Sequence, residues 1–265
     1  MTILYCHCAY ADIVPEATKH ALRTALAGAD GRVETVADLC ELAAARDPLL
    51  GHLVGSDAGP LHVVACQERA VRWLFEFAGT PLPGSATVHN MRTDTAETIL
   101  ARLGLAGAAG TSPDEADAAA GEAAPFPEKA PDDWIAWYPV IDYDRCVSCG
   151  QCAEFCIFGA FEVASDGRVR VAHPAKCKLN CPACGRVCPA SAIIFPKFPD
   201  GGPIAGGEGT LGAGAEDGMR IDLDRLGRGD VYEALRRRAA DAKTAARAKA
   251  AARGRDPQPE DPSAE

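Results

Sequence analysis

The chain has 265 residues, 48% of them apolar, and a formal net charge of −10. That length accommodates two modest domains, and so acidic a chain is repelled by the phosphates of nucleic acid. No apolar run reaches the roughly 20 residues of a bilayer-spanning helix, and no basic stretch followed by an apolar one marks a signal peptide, so the expected setting is the cytoplasm.

Residues 1–103 read as alternating strands and helices. Ile3-Leu4-Tyr5 begins a strand that runs into Cys6-His7-Cys8, and a helix is expected from Ile13 to Leu26. Val33 to Val36 is a second strand, followed by Asp38-Leu39-Cys40 and a helix to Ala45. Leu61 to Cys66 is the clearest buried strand, and Val71, Leu74 and Phe75 give the next helix, Glu68 to Phe77, its core spacing. Thr87 to Asn90 and Thr95 to Leu103 complete the pattern. Strands separated by helices imply a small parallel sheet with flanking helices.

On that sketch Cys6, Cys8, Cys40 and Cys66 all fall near strand ends, at the carboxyl edge of the sheet. Open α/β sheets bind ligands there. Two readings stand: the four hold a third iron–sulfur cluster or a zinc ion, or they are separate buried thiols. The order Tyr5-Cys6-His7-Cys8, Asp38-Leu39-Cys40, Val64-Ala65-Cys66 and Val88-His89-Asn90 resembles the N-terminal domain of the A subunit of heterodisulfide reductases. The resemblance implies iron–sulfur clusters and flavin-linked electron transfer. The family's flavin domain has no counterpart here, because no G-x-G-x-x-G follows a strand, so a flavin would belong to a partner subunit.

Residues 104–133 are rich in Ala, Gly, Pro, Asp and Glu and read as an acidic linker that lets the C-terminal module swing or dock. Beyond it come two dense cysteine runs. Cys146, Cys149, Cys152 and Cys156 form C-x2-C-x2-C-x3-C; Cys177, Cys181, Cys184 and Cys188 form C-x3-C-x2-C-x3-C, closed by Pro189. A 4Fe–4S cube needs four converging thiolates, and closely spaced cysteines on a tight loop wrap three of its corners. The competing readings are a four-thiolate zinc site, which rarely crowds four cysteines into so short a run twice over, and disulfides, which need an oxidising compartment.

The stretch 134–198 resembles the bacterial-type two-cluster ferredoxins. The resemblance implies that Cys146, Cys149, Cys152 and Cys188 hold one 4Fe–4S cluster and Cys177, Cys181, Cys184 and Cys156 the other, the fourth cysteine of each run crossing over. Lys178-Leu179-Asn180 is one residue longer than the family's spacing, and Ile157 stands where proline is usual. Pro139 to Asp142 is expected to pair with Ala192 to Phe195, and Phe161 to Ala164 with Val169 to Ala172 about a Ser165-Asp166-Gly167 turn. Trp134, Trp137 and Tyr138 are expected to pack, and Val147, Ile157, Phe158, Val187 and Ile193 to shield the clusters.

Residues 199–229 read as a glycine-rich spacer; Gly206-Gly207-Glu208-Gly209 lacks the strand and lysine of a phosphate loop. A basic amphipathic helix is expected over 230–254, capped by Asp230, with a disordered tail over 255–265. The whole is therefore an α/β N-terminal domain plus an α+β ferredoxin-like two-cluster domain. Its expected work is electron transfer with redox partner proteins, as a carrier or as a subunit of a larger oxidoreductase. The alternatives are a thiol–disulfide component acting through Cys6 and Cys8, and a zinc-stabilised interaction protein.

Overall fold

In a computed structural model, residues 1–29, 31–56, 59–105, 126–130 and 133–210 are described. Strand β1 (Thr2–Cys6) is buried along its whole length, as a strand covered on both faces must be. It sits between β2 (Arg32–Val36) and β3 (Leu61–Ala65), and β4 (Thr87–Asn90) completes a parallel sheet of order β2-β1-β3-β4. Edge strand β2 is only partly covered, with Val36 alone fully buried, and it carries Arg32 and Glu34.

The two faces take alternate residues. Ile3, Tyr5 and Val64 pack with Leu22, Leu26, Ile99 and Leu100, which come from α1 (Glu16–Ala27) and α5 (Ala96–Arg102). Leu4, Cys6, Val63 and Ala65 pack with residues of α2 (Leu39–Ala45), α3 (Pro48–Val54) and α4 (Glu68–Ala78). Helix α3 was not anticipated. Its signal was Asp47-Pro48: the Asp47 carboxylate caps Leu49 N–H at 2.8 Å, and proline suits the first helical position.

The remaining described elements are β5 (Val140–Ile141), α6 (Gln151–Phe155), the hairpin β6 (Phe161–Val163) and β7 (Val169–Val171), α7 (Ala183–Val187) and β8 (Ile193–Ile194). Strands β5 and β8 pair antiparallel, as the sequence predicts. Of the swinging or docking expected of the C-terminal module, the structure shows docking: Ala136, Tyr138, Val140 and Ile194 belong to the same apolar cluster as Leu4 and Val63. Two buried ion pairs cross the junction. Arg69 of α4 donates to Asp142 Oδ2 at 2.5 Å, to Ser191 O at 2.6 Å and to Pro203 O at 3.1 Å. Lys197 donates to Asp38.

Within residues 199–210, the start of the expected spacer, residues 204–206 are packed. Ile204 and Ala205 are buried, and Phe195 N–H donates to Ile204 O at 2.6 Å. Gly206 (φ +94°) presses so closely on α4 that a Cβ there would lie 2.6 Å from that of Ala70. The interior of the linker (106–125), the helix at 230–254 with Asp230, and the tail at 255–265 lie outside the described residues.

A histidine pair lies within the sheet. His62 Nδ1 and His89 Nε2 are 3.1 Å apart, and the buried Nδ1 of His89 has no hydrogen-bond partner. Burial, reinforced by His62, pulls the His89 pKa down to about 4. The unfolded chain therefore binds the proton more readily, and the stability due to a neutral His89 is full above pH ~6.5 and lost as pH falls towards 4. We expect unfolding free energy to drop by up to about 3 kcal/mol across that window, and the drop to flatten in His89→Gln. Urea titrations of both proteins at pH 7, 5.5 and 4 measure it; parallel profiles would refute the assignment.

Candidate metal centres

The first cysteine run is launched by a turn. Asp142 Oδ1 accepts the N–H groups of Asp144 and Arg145, and the Asp142 carbonyl accepts Cys146 N–H at 2.9 Å. Ser148 then takes a left-handed backbone (φ 52°) just before Cys149, helix α6 carries Cys152, and Cys156 ends that helix. The second run repeats the plan: Asn180 is left-handed (φ 60°) just before Cys181, α7 carries Cys184, and Cys188 ends it. The extra residue of the second run thus falls ahead of a preserved turn, with Asn in the conformation it tolerates best after glycine. The longer loop adds a turn of its own, closed by Cys181 N–H donating to Lys178 O at 3.1 Å.

The two runs lie close together. Burial pushes the Cys152 thiol up to about 11, and the neighbouring cysteines that add to the effect are Cys188 and Cys146. Burial raises Cys177 to about 12, helped by Cys181 and Cys156. Cys184 is raised by burial and then by Cys177, Cys152, Cys156 and Cys181. The last cysteine of each run therefore lies by the other run. Ala192 N–H donates to Cys188 Sγ at 3.3 Å, a contact of the kind that tunes an iron–sulfur potential. Cys149 alone among the twelve cysteines is exposed.

The expected shield is only half present. Ile193 is buried and Val187 half-buried, but Val147, Ile157 and Phe158 lie on the surface. They come just after cysteines on tight outward loops, and the core beneath is already filled by Trp137, Phe161 and Phe195. Trp137 stacks on Phe195 at 5.3 Å and Trp134 on Tyr138 at 6.1 Å, the packing roles expected of them.

The sheet edge holds the other four cysteines. Cys6 ends β1, Cys66 follows β3, Cys40 lies in the first turn of α2, and Cys8 sits in a left-handed backbone (φ 53°) that a cysteine seldom adopts. Strands β1 and β3 are neighbours whose connections leave in opposite directions, the switch point where such sheets form a crevice. All four cysteines are buried around one cavity of about 10 Å³, which Asp38, Pro196 and Lys197 also line. Asp38 caps α2 by accepting Cys40 N–H at 2.9 Å, and Leu39 N–H donates to Cys6 Sγ at 3.3 Å. A hydrogen bond from the Cys6 S–H to Cys8, together with burial, holds the Cys6 thiol well above its ordinary value; burial does the same to Cys40 and takes Cys66 to about 12. The donor set is soft and suits iron or zinc, although the cavity is narrower than a cube and the side chains must spread to admit one.

Tyr138 and Cys177 tie the two regions. Tyr138 donates to the Cys40 carbonyl at 2.7 Å, and Cys177 packs against both cores. Sequence reasoning missed Lys197 and Arg69 as junction residues. Lys197 had a signal: it is the one charge in the stretch Ile193-Ile194-Phe195-Pro196-Lys197-Phe198, which is buried throughout. Zinc meets a geometric objection, since four thiolates on one zinc lie about 3.8 Å apart. Among the described residues no three Cys, His, Asp or Glu side chains are gathered tightly enough for a single ion. A cube spreads its thiolates over four irons.

Residues 139–162 match the 4Fe-4S binding domain family. An uncharacterized ferredoxin of Methanocaldococcus jannaschii is 48% identical over 63 residues, which is 23% of this chain and 42% of that protein. A ferredoxin of Pyrobaculum islandicum is 43% identical over 54 residues, 20% of this chain and 49% of the relative. Pyruvate synthase subunit PorD of Methanocaldococcus jannaschii is 33% identical over 60 residues, 23% of this chain and 67% of that subunit. The matched segment thus spans less than half of the first two relatives. Among the described residues no helix is long and apolar enough to cross a membrane.

Proposed function

The chain belongs to the ferredoxins, iron–sulfur electron carriers, and from that premise we propose that it relays electrons through two 4Fe–4S clusters as a subunit of a larger oxidoreductase. One set of ligands is Cys146, Cys149, Cys152 and Cys188; the other is Cys177, Cys181, Cys184 and Cys156. The observation that carries this reading is the placement of Cys188 beside Cys152, and of Cys156 beside Cys177 and Cys184. With all eight cysteines engaged, neither cluster offers an open position, so the chemistry supplied is one-electron transfer without substrate binding. The chain's own residues hold the ligands, exclude water and donate hydrogen bonds to sulfur.

Membership in a complex is supported by the likeness to a pyruvate synthase subunit. The resemblance of residues 1–103 to the heterodisulfide reductase A subunit supports a flavin-bearing partner and a third iron–sulfur centre on Cys6, Cys8, Cys40 and Cys66. The strained backbone of Cys8 and the switch-point position support the third centre too. A thiol–disulfide reaction at Cys6 and Cys8 is disfavoured because both are buried beneath residues 134–210 and reactive thiols are accessible ones.

Iron and acid-labile sulfide after oxygen-free preparation test both levels. About eight of each supports two clusters, and about twelve supports three. Cys66→Ala is expected to lower about twelve to about eight while leaving the ferredoxin signals in place. Iron well below eight in the unaltered protein sinks the two-cluster reading, and an unchanged count in Cys66→Ala sinks the third centre.

A further inference from the structure

In a chain of net charge −10, residues 167–199 contain no Asp or Glu. They carry Arg168, Arg170, Lys176, Lys178, Arg186 and Lys197. Lys197 is buried on Asp38, Arg170 pairs with Asp166 at 3.4 Å, and Arg168 lies over the Tyr143 ring at 4.0 Å. Lys176, Lys178 and Arg186 are exposed, and none makes an ion pair among the described residues. Lys176 and Lys178 flank Cys177, and Arg186 lies on α7, two residues from Cys184.

Apolar surface gathers at the same place. Ile157 is 88% exposed, Leu179 48% and Phe158 37%. Leu179 lies between Cys177 and Cys181, and Ile157 and Phe158 come directly after Cys156. Cys156 and Cys177 pack against one core, and helix α6 lies against α7, so the side chains beside these cysteines gather on one patch. Large apolar residues left bare beside uncompensated cations mark an interaction surface. The nearby carboxylates are Glu162, which pairs with His173 at 3.0 Å, and the exposed Glu154 of α6.

We propose that Lys176, Lys178 and Arg186, together with Ile157, Phe158 and Leu179, form the docking face for the acidic surface of a one-electron carrier protein, which meets the chain over the second cysteine run. Charge decides the partner. The chain as a whole is acidic, and this face carries the opposite sign. Opposed charges steer encounter and fix orientation, while the apolar rim excludes water at contact. The proposal rests on the two-cluster reading only for the centre beneath the face.

The test uses the full-length iron-loaded chain, reduced flavodoxin as the acidic probe and reduced cytochrome c as a basic one, with stopped-flow detection. The flavodoxin rate is expected to fall as salt rises from 20 to 300 mM, roughly tenfold as for steered encounter. Lys176→Glu/Lys178→Glu is expected to lower that rate at least about tenfold at low salt and to reverse its salt dependence, with iron content and the reduced-cluster magnetic resonance signal unchanged. A flavodoxin rate that rises with salt in the unaltered protein overturns the proposal, and so does an unchanged rate in the variant. Faster reaction with cytochrome c, or charge-dependent binding to phosphatidylglycerol vesicles with flavodoxin rates unaffected, assigns the face to another surface and also overturns it. Absence of iron would instead defeat the underlying cluster reading.

Discussion

Arg69→Met is expected to lower the unfolding free energy by about 3–5 kcal/mol, the usual cost of removing one member of a buried ion pair. The guanidinium is buried, and its loss strips a charge partner from Asp142 and hydrogen bonds from the carbonyls of Ser191 and Pro203. Asp142 also starts the turn into the first cysteine run, so the damage reaches the ligand loop. Denaturant unfolding of the anaerobic protein measures the effect. Arg170→Met is the control, since its pair with Asp166 is exposed and screened by solvent. A change in Arg69→Met no larger than the control's would show that the junction does not carry the fold.

The second large effect concerns crossing. Cys188→Ala is expected to remove the cluster of the first run, although Cys188 belongs to the second. Iron should fall by about four, and the remaining magnetic resonance signal should match that of Cys146→Ala, not Cys181→Ala. Cys156→Ala should pair with Cys177→Ala in the same way. The reverse pairing would mean that each run wraps its own cluster, against the placement of Cys188 beside Cys152.

The strands were legible because β1 and β3 are largely buried and their residues are mostly apolar, Ile3 to Cys6 in one and Val63 to Ala65 in the other. The Thr87–Asn90 strand and the Glu68–Ala78 helix lie where the pattern puts them to within a residue. The β5–β8 pairing was legible for another reason: the flanking cysteines had already fixed the frame. The hidden features depend on long-range burial of residue types that normally sit in water. Nothing local in Arg69 or Asp142 marks them as partners 73 positions apart. Glycine content misled at Gly206, where the residue serves close contact with Ala70 rather than slack. Val147, Ile157 and Phe158 misled in the opposite sense, since apolar character alone does not say which side of a cysteine loop faces in.

The uneven accessibility of the cysteines sets an order of damage. Oxidants arriving from solvent meet Cys149 first, and a ligand sulfur attacked there starts the climb from sulfenic towards sulfonic acid. The cluster of the first run should therefore bleach before that of the second, and the buried sheet-edge thiols should outlast both. Air, in effect, would dismantle the molecule from one end.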